Sequence, residues 1–179
     1  MATSSATDLW GTLAAEAALE SPLWGDALRP EDERETCPVF SPLCDPVFAL
    51  GVETIYEGYL LHYGAPRLFA PADDDTALLL GDYLYAHGLV RIASTGNMAA
   101  VHDLAELISL CAQARADGGC GDGEAWAATV ALLGKGGLDD ARRALREHRD
   151  PAPLEALARA AAGDEAVRRA RAAHDVRVG

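Results

Sequence analysis

Lysine is almost missing from this 179-residue chain: Lys135 stands alone beside 14 arginines, and together they face 28 acids. The net charge of −13 excludes the broad basic surface that nucleic-acid phosphates need, and it disfavours an anionic membrane surface equally. Aromatic residues make up 6% of the chain and β-branched residues are sparse, which argues against a sheet-built core. The four cysteines fall at 37, 44, 111 and 120, without the close C-x₂₋₄-C pairs of structural zinc. No run of about 18 uninterrupted apolar residues exists, so no membrane span is expected. Met1 to Asp8 lacks the basic start and apolar centre of a secretory leader. A cytoplasmic location with reduced thiols follows as the expectation.

What remains is alanine and leucine. Half of the residues are hydrophobic, in a composition that favours helix, and the length suits a single domain spanning 1–179. The charge is uneven: residues 1–80 hold 14 acids and 3 bases, whereas residues 81–179 hold 14 acids and 12 bases. The richest stretch runs from Thr76 to Cys111 and reads as two consecutive helices broken at Ser94-Thr95-Gly96-Asn97. The first is apolar nearly all round from Leu78 to Ile92, the pattern of a helix buried in a bundle. The second carries Val101, Leu104, Ala105, Ile108, Cys111 and Ala112 at the i, i+3, i+4, i+7 spacing of a core-facing stripe. The expected architecture is therefore an all-α helical bundle around a central helical hairpin, with shorter helices flanking it.

Residues 1–7 are small and polar and are expected to fray. Asp8 suits the cap of a helix to about Leu19, with Leu9, Trp10, Leu13 and Ala17 on its apolar side. Residues 21–46 contain five prolines and the acidic knot Glu31-Asp32-Glu33-Arg34-Glu35. They read as a surface-wrapping loop with at most one helical turn after Pro30. Val47 to Tyr63 is helical and Gly64-Ala65-Pro66 ends it. After the hairpin, glycines at 118–123 form a loop. Helices are expected over Glu124–Leu133, Asp139–Arg149, Pro151–Ala162 and Asp164–Ala173. Residues 138–179 form an Ala/Arg-rich, weakly apolar helical tail.

Several constellations could carry chemistry. Asp73-Asp74-Asp75 has the carboxylates a hard cation wants. Consecutive acids do not face one way on a helix, however, and these precede one, where they oppose its dipole favourably. Glu53 and Glu57 stand at i, i+4 on one helix face, with His62 further on, and together they could hold Mg²⁺. The same spacing is common on solvated helix faces. His102-Asp103 has the letters of a helical HD-type phosphohydrolase, although the dipeptide alone is weak, and His87 suits a buried, hydrogen-bonded core position. Gly134-Lys135-Gly136-Gly137 lacks the frame of a phosphate loop and reads as an interhelical turn.

Gly64-Ala65-Pro66, a connector, then Leu78-Leu79-Leu80-Gly81-Asp82-Tyr83-Leu84-Tyr85-Ala86 resembles the trans-type polyprenyl diphosphate synthases, in which a G-x-P turn precedes a helix opening LLGDYLLA. The resemblance spans roughly Val47 to Arg115. It implies an isoprenoid-synthase-like helical fold. It also implies that the Mg²⁺-binding aspartates of the family's D-D-x-x-D motif fall at Glu53, Thr54 and Glu57. The two diphosphate-gripping arginines fall at His62 and Tyr63, giving Glu53 and Glu57 as metal candidates and His62 and Tyr63 as substrate-binding candidates. The second carboxylate and both guanidinium groups are absent at these positions. Ionising an allylic diphosphate requires the departing charge to be neutralised by metals and cations. Each 1.4 kcal/mol lost there costs about a decade of rate. The resemblance therefore implies a non-catalytic member that works through a protein partner or copies of itself, such as a regulatory subunit of a full-length synthase. The alternative is a divergent Mg²⁺-dependent enzyme acting on a prenyl diphosphate or a phosphate ester.

Overall fold

A computed structural model gives the fold of residues 6–119 and 121–178, with side chains from Leu9 onward. Among the described residues there are nine α-helices and no strand. They are α1 (Ala6–Glu20), α2 (Pro22–Asp26), α3 (Ala49–Tyr63), α4 (Asp74–Ser94) and α5 (Met98–Ala116), followed by α6 (Asp122–Ala131), α7 (Asp139–His148), α8 (Ala152–Ala162) and α9 (Asp164–Val178). The chain is an all-α bundle, as its composition requires. No helix among the described residues is long and apolar enough to cross a membrane.

The helix at the centre is α3, not α4. Every residue from Gly51 to Leu61 is buried, and α5, α6 and α9 meet its far side through one large apolar cluster. Along its near side runs α4, and the two come close because glycines face each other. A Cβ on Gly58 would stand 2.9 Å from the Gly81 carbonyl oxygen, and one on Gly88 would stand 3.1 Å from that of Gly51. The expectation that α4 is covered all round is corrected accordingly. Leu80, Leu84, Gly88 and Ile92 are buried, while Leu78, Leu79 and Val90 are more than half exposed. The core stripe of α5 also sits one position from its expected register, on Ala100, Leu104, Leu107 and Cys111, with Ala105 and Ala112 facing outward.

Boundaries follow local chemistry closely. Asp73 caps α4 by accepting the Thr76 N–H at 2.7 Å, which accounts for the acid triplet. Asn97 caps α5 by accepting the Ala100 N–H at 3.0 Å. The α1 backbone begins at Ala6, so Asp8 lies inside the helix rather than before it. The fraying expected of residues 1–7 is corrected at Ala6 and Thr7, which belong to α1, and residues 1–5 lie outside the described residues.

Residues 21–46 depart most from expectation. Beyond a turn at Glu31–Glu33, they contain α2 and a 3₁₀ turn at Ser41–Leu43. They also bury Val39, Phe40 and Leu43 in the main cluster. Phe40 lies fully enclosed between Trp126 and Tyr56, and burying such a side chain is worth about 1.5–3 kcal/mol. This segment is part of the core rather than a wrapping. A second apolar cluster joins α1 to α3 and α4 through Trp10, Leu13, Ala17, Leu61, Leu80 and Leu84. The Ala/Arg-rich tail packs as α7, α8 and α9 through Leu145, Leu154, Ala158 and Val167.

Candidate functional site

Glu53 and Glu57 share one face of α3, as their spacing demands, but that face is not solvated: both are fully buried. Between them lies Arg67, delivered by the chain just after the Gly64-Ala65-Pro66 turn. Its Nη1 donates to Glu53 Oε2 at 2.7 Å and its Nε to Glu57 Oε2 at 2.9 Å. The remaining carboxylate oxygens are taken by backbone. Glu53 Oε1 accepts from the Val39 and Ser41 N–H groups, both at 3.1 Å. Glu57 Oε1 accepts from Arg67 and Leu68 N–H, both at 2.7 Å.

The guanidinium lies 4.4 Å from the Trp10 ring centroid and 5.0 Å from that of Tyr56, and its Nη1 also donates to the Cys37 carbonyl. A cation does lie between the two glutamates, and it belongs to the protein. Burial alone would lower the Arg67 pKa; the two carboxylates outweigh it and push it up. The triad ties the 37–41 segment and the 67–68 connector to α3. Among the described residues, no group of three or more His, Cys, Asp or Glu side chains is arranged to hold a metal ion.

His62 and Tyr63 do not join this cluster. The His62 ring stacks on Tyr85 of α4 at 5.0 Å, with Nε2 3.3 Å from Asp82. Burial lowers its pKa and Asp82 opposes that shift. Tyr63 lies beside Arg115, 6.0 Å from ring centroid to guanidinium. His62 and Tyr63 adjoin each other, with ring centroids 5.7 Å apart, but neither reaches the buried carboxylates, so the candidate metal and substrate positions fall in two separate neighbourhoods.

The letters His102-Asp103 also separate. His102 is exposed, whereas Asp103 is buried, bonding Arg142 at 3.0 Å and the Gly134 N–H at 2.9 Å. That ion pair fixes α7 and the glycine turn against α5. His87, expected in the core, is instead partly exposed and bonded to Glu16 of α1. Cys37, Cys44 and Cys111 carry free thiols. Burial and then the Glu53 charge push Cys44 up to about 12, and burial raises Cys111 as well, so neither is a ready nucleophile. Cys120 lies outside the described residues.

One polar cluster escaped the sequence reading. Asp122, at the start of α6, accepts the Tyr59 hydroxyl and the Arg115 Nε, the latter at 2.8 Å, while Arg115 also donates to Tyr59 at 3.0 Å. His174 of α9, almost fully buried, holds its Nδ1 3.0 Å from the Tyr56 hydroxyl and its Nε2 3.9 Å from Asp122. Burial opposes ionisation of Asp122. His174, Tyr59 and Arg115 outweigh it and hold the carboxyl well below its ordinary range. Burial and Asp122 push the Tyr59 hydroxyl up. These groups join α3, α5, α6 and α9, four helices whose sequence separations hide the cluster.

No protein-family profile, curated protein or solved structure matches the chain.

Proposed function

We propose that the protein works by association rather than turnover, as a non-catalytic partner or regulatory subunit of a full-length prenyl diphosphate synthase. The observation that carries this reading is the outer side of α4 and α5. There Val90 and Met98 are about two-thirds exposed, at 66% and 65%, beside the partly buried Leu89, Val101 and Ile108. Apolar side chains left exposed on neighbouring helices are the material of interaction sites. The class of partner comes from the resemblance of residues 47–115. Full occupancy of the Glu53 and Glu57 oxygens supports association over metal chemistry, because a Mg²⁺ ion would have to displace an internal guanidinium and four backbone donors.

The test mixes the chain with a purified synthase bearing intact D-D-x-x-D motifs and measures molar mass by light scattering after size exclusion. A stable heteromer that Val90→Asp/Met98→Asp dissolves is expected. A chain that stays monomeric and leaves the synthase unbound overturns the reading. Turnover of isopentenyl and allylic diphosphates by the chain alone overturns it as well.

A further inference from the structure

We propose that the outer face of α4 beside α2 is a docking surface for a cationic amphipathic helix of another protein. Its centre is an aromatic pair: Trp24 of α2 stacks on Tyr83 of α4 with centroids 5.8 Å apart, and both rings are half-buried. Around the pair, leucines remain in water. Leu23, next to Trp24 in sequence, is 46% exposed, and Leu79, one turn before Tyr83, is 56% exposed. Trp and Tyr at the centre of an apolar patch have the composition of binding hot spots.

The rim is acidic at helical spacing. Glu20 ends α1, Asp26 lies three residues after Leu23, and Asp75 and Asp82 bracket Leu79 at four and three residues. Glu20 lies close enough to Tyr83 to add to the upward push that burial gives its hydroxyl. Among the described residues, Glu20, Asp26 and Asp75 make no ion pair, and Asp82 meets only the His62 ring. The cations on this side of α4, His87 and Arg91, are both engaged by Glu16.

An apolar centre with a carboxylate rim selects its partner by charge. A helix with leucines at i, i+3 and i+7 between lysines or arginines would fill the first and neutralise the second. An anionic or uncharged helix would leave carboxylates desolvated without partners, which is costly. The excess of 14 acids over 3 bases in residues 1–80 adds long-range attraction for such a partner.

A tryptophan-free amphipathic peptide of leucine and lysine provides the probe. Trp10 and Trp126 are 3% and 1% exposed, so acrylamide quenching of the protein's fluorescence reports chiefly on Trp24. Saturable one-to-one binding that shields Trp24 is expected. Asp26→Lys/Asp82→Lys should weaken it at least roughly tenfold, and Leu23→Ser/Leu79→Ser comparably. All four positions are exposed, and circular dichroism checks that each variant keeps its helices. Met98→Asp, at the start of α5, should bind the peptide as the parent does. Equal binding of a scrambled peptide or of a leucine–glutamate peptide, unchanged quenching of Trp24, or unaltered affinity in both variants overturns the proposal.

Discussion

At the scale of single residues, the molecule turns on Arg67. It is the one Lys or Arg between positions 35 and 90, and it neutralises one of the two buried glutamates' charges while six hydrogen bonds satisfy their oxygens. Removing it leaves two carboxylates in an apolar interior without a counter-ion, a loss of about 3–5 kcal/mol for a broken buried pair. Arg67→Met should therefore lower the urea midpoint severely. Adding Glu53→Gln/Glu57→Gln to Arg67→Met should recover part of that loss, because the uncompensated charges go with it. Strict additivity of the two changes would sink this account. Millimolar Mg²⁺ should leave the wild-type melting temperature unchanged, and a rise abolished by Glu53→Gln would reopen the metal site. The i, i+4 spacing of the pair was legible in the sequence, and so was the loneliness of Arg67. Their meeting was not, because only the fold brings residue 67 back beneath residues 53 and 57.

At the scale of elements, what the sequence disclosed were boundaries set by local chemistry: the Gly64-Ala65-Pro66 stop, the Ser94 to Asn97 break and the Asp73 cap. Depth was harder to read. The polar letters in α3 made it look half-solvated and the apolar run in α4 made it look central, whereas the buried ion pair reverses their places. Glycine carries the α3–α4 contact, and the local environment of each glycine decides the sign of a substitution. Gly58→Ala forces a Cβ to within 2.9 Å of the Gly81 carbonyl oxygen, so the helices must separate. Overpacking of this kind costs about 1–3 kcal/mol, enough to offset the roughly 1 kcal/mol that alanine gains over glycine in a helix. Gly11 lies inside α1, and a methyl group added there would meet nothing within 4 Å. Gly11→Ala should instead stabilise by about 0.5–1 kcal/mol. Chemical denaturation of the two variants checks both signs, and a stabilised Gly58→Ala would show that the interhelical contact is looser than its geometry.

At the scale of the whole molecule, the bundle is closed by polar contacts between distant segments as much as by its apolar clusters. Asp122 is the clearest case, since Tyr59, Arg115 and Gly123 bond its carboxylate from three helices and His174 lies near it on a fourth. Arg115, Asp122 and Gly123 fall within one short stretch, but Tyr59 and His174 are far from it in sequence, which explains why no motif announced the cluster. The folded-state pKa of Asp122 lies below its unfolded value of about 3.9. Between the two values the unfolded chain binds the proton and the folded chain does not, so stability rises with pH there. The contribution of this carboxylate is thus complete above about pH 5 and drains away as pH falls through the unfolded pKa toward the folded one. Hydrogen bonds to a charged group are worth about 1.5–3 kcal/mol, so Asp122→Asn should cost about that much at pH 7. The gap between wild type and variant should narrow steadily from pH 5 to pH 3, as protonation makes the wild-type side chain neutral too. Other carboxylates, such as Glu35 held down by Arg177, titrate in both proteins and cancel in the difference. A gap that stays constant across that range would mean that the Asp122 charge does not hold α3, α5, α6 and α9 together.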